Sequence, residues 1–295
     1  MSYGISIQGL PTFLGNERLI IKCGELKLSQ SQVPNLKYYF SNPISSHTTG
    51  YNDEINSQGW FNFYKGKLDP NDCLAFVGVQ IDEYIEEKTN IIRYKGDQLA
   101  IAPIKFRYNS ITGYMQARVV TYFGTITKPK PLIFAQGSIN IHFYVRESTI
   151  TPNTGYGIHI YNERGNLVFK DGLALLKNIK TLPVRLTKEK AYNGVHYLYK
   201  LEENPLLKNI GTNKLVLNTA IGNFSACQYS SAMRNYEYFG GIITPVLTSR
   251  GSVVCVLTDQ FTINGGRRSY PSISGGNGEF EDINQISEYI MYIDP

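Results

Sequence analysis

The chain has 295 residues, enough for one large domain or for two domains of ordinary size. Its formal net charge of +5 is spread along the sequence and forms no basic patch, which argues against nucleic-acid binding. No apolar run reaches the roughly 18 residues of a membrane span, and no basic segment with an apolar core opens the chain. We therefore expect a soluble protein that is made in the cytoplasm and neither inserts into membranes nor binds nucleic acid.

The composition also indicates the fold class. Tyrosine (22), glycine (27) and phenylalanine (14) are abundant, whereas charged residues make up only 18% of the chain. Aromatic residues favour strands, and glycine favours the tight turns that join them. We predict an all-β fold of antiparallel sheets with little helix.

In chain order, the first distinctive segment is 59–66, which follows a long polar stretch and contains the only tryptophan of the chain. On a strand, Trp60, Asn62 and Tyr64 would face one side, and the two phenylalanines between them the other. The first set is either an aromatic platform for a sugar or a partner protein, or the amphipathic outer face of a sheet. We take Trp60, Asn62 and Tyr64 as candidate interaction residues.

The segments after residue 66 predict further strands. Residues 73–79 form a continuous apolar run that is short enough for a buried strand. Residues 82–87 are mostly acidic and predict a helical turn with a solvated face. Other strand candidates follow at the spacing of a sandwich or barrel, at 90–94, 99–108, 114–123, 195–199 and 214–217.

Two patterns occur once in each half of the chain, which indicates an internal duplication. A strand-turn-strand pattern begins at Tyr3 and again, in a more compact form, at Tyr156. A Tyr-Phe-Gly strand end followed by a Gly-Ser-led apolar strand occurs at 122–143 and again at 238–257. We predict that the two halves are related in structure.

A polar segment with a proline and a glycine, residues 149–155, separates the halves. We predict two tandem β-sandwich-like domains, 1–150 and 151–295, the second with an added Gly-rich loop and an apolar C-terminal tail. That loop contains Arg267 and Arg268, which are either solvated or bind a carboxylate of a neighbouring subunit or an anionic saccharide. We take both arginines as candidate interaction residues.

The sequence contains no motif of catalysis or metal binding that we recognise. Its four cysteines and four histidines are widely separated, and Cys255 lies within an apolar run typical of a buried strand. No P-loop, nucleophile elbow or metal-ligand spacing occurs. We therefore expect reduced, mostly buried thiols, no catalytic residues, no cofactor and no metal, although an active site assembled from distant residues stays an open alternative.

Two stretches resemble the start of small tail proteins of tailed bacteriophages. One is the opening Tyr3-Gly4-Ile5-Ser6-Ile7. The other is Tyr156-Gly157-Ile158-His159-Ile160 with its return strand Gly165-Asn166-Leu167-Val168-Phe169. The tail proteins have a Tyr-Gly-Leu strand, a polar Gly-Asn turn and a Leu-Val-Phe strand. The first copy differs by an insertion in the turn, from Gln8 to Leu14.

This resemblance implies a structural, non-enzymatic component of a phage virion, at the tail tip or a tail fibre. Its partners would be other tail proteins, further copies of itself, and a glycan or receptor on the host surface. Two alternatives from other classes stay open: a free carbohydrate-binding module or virion decoration protein, and a glycan-degrading enzyme.

Overall fold

The structure of the chain is a computed structural model that describes part of its residues. The described ranges are 20–37, 57–86, 91–94, 100–123, 134–146, 159–161, 167–170, 176, 178–190, 197–201, 208–230, 235–258, 261–265 and 280–295.

The described chain is almost entirely β-structure, which confirms the predicted all-β class. Two short 3-10 helices, Gln30–Gln32 and Pro70–Asp72, have described bounds, and Ser57 is a further helical residue. No helix among the described residues has the length and apolarity needed to cross a membrane. The strands, in chain order, are β1 (Ile20–Ser29), β2 (Asn35–Lys37), β3 (Trp60–Lys65), β4 (Cys73–Val77), β5 (Val79–Ile81), β6 (Glu83–Glu86), β7 (Ile91–Tyr94), β8 (Lys105–Asn109), β9 (Tyr114–Arg118), β10 (Thr121–Phe123), β11 (Ser138–Arg146), β12 (His159–Tyr161), β13 (Leu167–Lys170), β14 (Lys180–Pro183), β15 (Leu186–Lys190), β16 (Tyr197–Leu201), β17 (Lys208–Asn209), β18 (Leu215–Leu217), β19 (Gly222–Ser230), β20 (Asn235–Thr248), β21 (Ser252–Leu257), β22 (Phe261–Gly265), β23 (Phe280–Gln285) and β24 (Tyr289–Ile293).

A six-stranded sheet lies at the centre and takes strands from both halves of the chain. Its order is β1-β11-β4-β18-β24-β14, and each neighbouring pair is antiparallel. The halves join where Val77 of β4 lies opposite Val216 of β18. The division into domains 1–150 and 151–295 stays a prediction, and the strands before and after it share this sheet.

Two further sheets pack against the same face of the central sheet. The three-stranded sheet β3-β9-β8 covers the strands of the first half, and the core between them includes Ile141, Phe143 and Ala117. A nine-stranded sheet, in the order β15-β16-β21-β20-β19-β23 with β5, β17 and β22 alongside, covers the strands of the second half. Its core with the central sheet includes Val216 and Ile243. The arrangement is therefore sandwich-like, with one layer common to both cores.

The predicted buried strand at 73–79 exists, but it is divided between two sheets. All its residues are buried except the half-buried Leu74. β4 ends at Val77, and the amide of Gly78 donates to the carbonyl of Asn140 at 2.9 Å. The chain then leaves the central sheet, and Val79 begins β5, which runs parallel to β20 in the nine-stranded sheet.

The helical turn predicted at 82–87 is wrong, because residues 83–86 form β6 and pair antiparallel with β7. Tertiary contacts determine the local structure here. The backbone amide of Glu83 donates to Ser249 Oγ at 2.9 Å, and its carboxylate accepts a hydrogen bond from the Thr248 hydroxyl. Glu83 is buried, so this carboxylate does not belong to a solvated acidic face.

The two predicted repeats have different outcomes. The compact hairpin at Tyr156 is confirmed in its described strands, since Ile160 of β12 lies opposite Phe169 of β13. Most of the looser copy at Tyr3 lies outside the described residues. The Tyr-Phe-Gly units differ in pairing: β10 runs parallel to β2, whereas the second copy lies within β20 and forms an antiparallel hairpin with β21. These units therefore share a sequence pattern without sharing strand partners.

Candidate functional site

The candidate site lies on the three-stranded sheet, whose central strand is β9. A tight turn joins β8 to β9, where the Asn109 side chain accepts hydrogen bonds from the amides of Ile111 and Thr112 at 3.0 and 3.2 Å. Gly113 completes the turn with φ of 73°, a conformation that glycine adopts at little cost. β3, which arrives from far along the chain, pairs with the other edge of β9.

The side chains of this sheet alternate between a core face and an outward face. Phe61, Phe106 and Ala117 lie opposite one another on the core face and pack against the central sheet. We call the other side the outward face, and define it by the strand registers as Trp60, Asn62, Lys65, Lys105, Arg107, Asn109, Tyr114, Gln116 and Arg118.

The prediction that Tyr64 shares a face with Trp60 and Asn62 is wrong, because β3 contains a β-bulge. Asn62 lies opposite Gln116, but Tyr64 lies opposite Met115, so Phe63 is the extra residue of the bulge. The inserted residue turns Tyr64 to the core face, where it packs with Met115. Burial there raises the pKa of the Tyr64 hydroxyl. The bulge therefore removes Tyr64 from any binding surface shared with Trp60.

Trp60 instead contacts a residue that the sequence did not single out. The guanidinium carbon of Arg107 lies 3.9 Å from the centroid of the Trp60 ring, within the range of a cation–π interaction. The Arg107 Nε also donates a hydrogen bond to Gln116 Oε1 at 2.9 Å. These two contacts hold the guanidinium in one orientation.

Gln116 connects the three strands of the outward face. Its Nε2 donates to Asn62 Oδ1 on β3 at 2.8 Å, and its Oε1 accepts from Arg107 on β8. Asn109 Nδ2 makes a longer contact with the same oxygen at 3.5 Å. Gln116 is only 8% exposed, so these bonds satisfy an amide that burial would otherwise penalise.

The outward face carries positive charge and, among its defining residues, no carboxylate. Lys65 and Lys105 are exposed, and Arg118 is only 5% exposed, with its Nε donating to the carbonyl of Gln58 at 3.3 Å. Burial lowers the pKa of Arg107, and the neighbouring charge of Arg118 lowers it further. The two guanidinium groups therefore both contribute positive charge to the outward face, and Arg107 is the more exposed of the two.

The remaining predicted site residues and thiols can be placed only in part. Arg267 and Arg268, with the Gly-rich loop, lie outside the described residues. Cys23, Cys73 and Cys255 are free thiols, and burial is the main cause that raises each pKa to about 12, as expected for unreactive sulfur.

In the part of the chain that the structure describes, no group of three His, Cys, Asp or Glu side chains is placed to hold a metal ion. Comparisons of the chain with protein-family models, with curated proteins and with solved structures found no match. The outward face is therefore defined by its own geometry alone.

The sequence pattern predicted the strands of this face but missed the residues that define its chemistry. Arg107, Gln116 and Arg118 belong to two segments that we expected as strands, 99–108 and 114–123. A usable signal was present, since polar or charged residues alternate with apolar or aromatic ones at 105–108 and at 115–119. Their convergence on Trp60 depends on the pairing of β3 with β9, which local sequence does not reveal.

Proposed function

We propose that the chain is a structural component of a bacteriophage tail, at the tail tip or in a tail fibre. The observation that carries the proposal is the hairpin of β12 and β13, whose strands include His159, Ile160, Leu167, Val168 and Phe169 of the tail-protein resemblance. The strand-turn-strand pattern of that resemblance requires antiparallel pairing, and Ile160 and Phe169 lie opposite each other in such a pair.

The all-β architecture supports a role in assembly, because sheet edges and exposed apolar side chains can join subunits. β8 and β14 are edge strands of their sheets within the described chain. Next to β14, Tyr289 and Met291 of β24 are 51% and 43% exposed. In the proposed role these features contact other tail proteins or further copies of this chain.

Electron microscopy of purified virions tests the proposal. Virions of a phage that encodes this chain would be labelled with an antibody raised against the purified protein. We expect label at the distal end of the tail, and no label on virions grown without the gene. Virions that carry no label, although the antibody recognises the free protein, would contradict the proposal.

A second candidate function is a carbohydrate-binding module that acts outside a virion. The outward face favours it, because Trp60 and Arg107 combine an aromatic ring with a charged group that has hydrogen-bond donors to spare. Binding of the isolated chain to a glycan array, lost on Trp60→Ala, together with unlabelled virions, would favour this candidate. Tyr64→Ala is not an equivalent test, because Tyr64 lies in the core.

A further inference from the structure

We propose that the outward face is a binding site for an acidic saccharide, and that Arg107 binds its oxyanion group, a carboxylate or a sulfate. The inference deepens the host-surface part of the proposed function and rests on that part alone. It holds equally for a tail protein and for a free binding module.

Arg107 has the unused donors that this role requires. Its Nε is engaged by Gln116 and its guanidinium plane lies against Trp60. Within the described chain, its two terminal amino groups donate no hydrogen bond, and no carboxylate lies within ion-pair distance of it. A guanidinium presents a rigid fork of donors that matches the two oxygens of a carboxylate or sulfate. An anion can therefore bind without displacing an existing partner.

The fork is also held in place before any ligand arrives. The Trp60 ring and the Gln116 amide restrict the orientation of the guanidinium, and Gln116 is itself fixed by Asn62 on the neighbouring strand. An arginine free in solvent loses rotational freedom when it binds, and this loss weakens the complex. Arg107 has already lost much of that freedom on folding.

Neutral and charged groups around Arg107 suit a sugar polymer that carries repeated acidic groups. Asn62 is exposed on one side of Arg107, and its amide can bind hydroxyl groups. The exposed ammonium groups of Lys65 and Lys105 belong to the two outer strands. A chain of acidic sugars laid across the sheet would meet Arg107 between flanking positive charges.

The same face is less suited to single-stranded nucleic acid, which needs aromatic side chains on which successive bases stack. Its two aromatic residues are Trp60 and Tyr114, which lie opposite Arg118 and Lys65 respectively. At about 3.3 Å per residue they are roughly 13 Å apart along the sheet, too far to stack adjacent bases. Trp60 is moreover already packed against Arg107.

The intrinsic fluorescence of the full chain provides a direct test, because Trp60 is its only tryptophan. The protein would be titrated with polygalacturonate and with dextran sulfate, which distinguish a carboxylate from a sulfate ligand. The matched neutral probes are methyl-esterified polygalacturonate and dextran. We expect one or both acidic polymers to change the Trp60 emission, and neither neutral polymer to do so.

Variants then assign the binding to Arg107. Arg107→Ala should weaken binding of the acidic polymer by roughly tenfold or more, since it removes a charge-assisted pair of hydrogen bonds. Arg107→Lys should also weaken it by roughly tenfold, because lysine keeps the charge but lacks the fork. Arg250→Ala, which removes the same charge at an exposed turn between β20 and β21, should bind like the parent protein.

Several results would overturn the inference. They are no binding of either acidic polymer by the parent protein, equal binding of the neutral polymers, or single-stranded DNA bound as tightly as the acidic saccharides. Unchanged affinity of Arg107→Lys would show that charge alone matters, and it remains decisive if Arg107→Ala does not fold. If virions are labelled but the protein binds no acidic saccharide, this inference is refuted and the tail assignment stands. If the protein binds an acidic saccharide but virions carry no label, the tail assignment is refuted and this inference stands.

Discussion

The three-stranded and nine-stranded sheets pack against the same central sheet, yet their other faces differ in chemistry. In the nine-stranded sheet, Val246 and Val254 face away from the central sheet and are fully buried in a second apolar cluster. In the three-stranded sheet the corresponding side carries Gln116, Arg107 and Trp60, joined by directional contacts.

The difference shows how a sheet of this fold can acquire a binding function. A strand buried on both faces favours apolar residues at every position. Thr244 is a polar exception, and its buried hydroxyl is satisfied by a hydrogen bond with the Thr258 hydroxyl at 2.8 Å. A strand with one open face can carry polar groups at every second position. The outward face can thus carry polar groups, because the core needs only the other half of the residues. Gln116 and Arg118 are buried there, whereas Asn62, Lys65 and Lys105 are exposed and available for recognition.

The largest effect is expected from Phe143→Ala in the core beneath the three-stranded sheet. Phe143 is fully buried, and its ring stacks on Phe63 with centroids 4.3 Å apart. Loss of this ring should lower the free energy of unfolding by about 3–5 kcal/mol, measured by urea denaturation. Ile111→Ala, at a turn position that is 94% exposed, is the control and should change little.

The corresponding variant of the other core is Ile243→Ala, with an expected loss of about 2–5 kcal/mol. Because both cores share the central sheet, we expect Phe143→Ala and Ile243→Ala each to shift one cooperative transition of the whole protein. Two separate transitions, each shifted by only one variant, would contradict this expectation. They would instead support independent domains divided near residue 150.

A smaller effect is expected at Gly59, the residue immediately before β3. Gly59 has φ of 78°, and a Cβ there would clash with Val120 and lie 2.9 Å from the Val119 carbonyl oxygen. Gly59→Ala should cost about 3 kcal/mol in unfolding free energy through strain and overpacking. Gly113→Ala at a φ of 73° meets no atom within 4 Å, and should cost only about 1 kcal/mol. Equal losses in thermal or urea unfolding would show that the space beside Gly59 is unimportant.

Removing the Gln116 amide, which connects the three strands of the outward face, should have a more moderate effect on the free energy of unfolding. Gln116→Ala breaks the bonds to Asn62 and Arg107, and should lower the unfolding free energy by about 1–3 kcal/mol. Thr244→Val in the nine-stranded sheet removes one hydroxyl pair, and about 1 kcal/mol is expected. The Trp60 emission should change in Gln116→Ala only. An unchanged emission spectrum would show that Gln116 does not orient Arg107.

The smallest effect concerns His142 on the side of the central sheet that faces away from both cores. Burial, and then the Lys22 charge, lowers the pKa of His142, while Glu25 at 3.7 Å partly opposes the shift. The unfolded chain then binds the proton first, so stability is full above the ordinary pKa of 6.5 and falls as pH drops through it.

The free energy of unfolding, measured from pH 8 to pH 5, should therefore decline in the parent protein more than in His142→Gln. NMR titration of the His142 ring would measure the pKa directly. A constant difference between the two proteins across this range, or a ring pKa at or above 6.5, would contradict the prediction.

Local patterns predict a strand well where one side of that strand lies in a core. In β11, buried Ile139, Ile141 and Phe143 alternate with more polar residues, and this period of two is visible in any short window. The same reasoning placed Trp60 and Asn62 correctly on one face of β3. It went wrong at Tyr64, because the bulge at Phe63 depends on the register with β9.

The pairing of distant strands was beyond local reasoning for a physical reason. The apolar runs around Val77 and Val216 could each pair with any other buried strand. Neither sequence therefore specifies the other as its partner. The helical turn predicted at Glu83 failed in the same way, since Ser249 and Thr248 lie far along the chain. Arg107 was missed because its contact with Trp60 is likewise a product of strand pairing.

The crossing at Gly78 bears on how the protein is made. β4 pairs with β11 and β18, and β5 pairs with β20. When the ribosome has released β4 and β5, none of these three partner strands has been synthesised. The backbone edges of these two apolar strands therefore stay unpaired until much later in translation. Unpaired strand edges promote misassociation. The nascent chain should need shielding by a chaperone or rapid completion, and slow translation between β5 and β18 should lower the yield of folded protein.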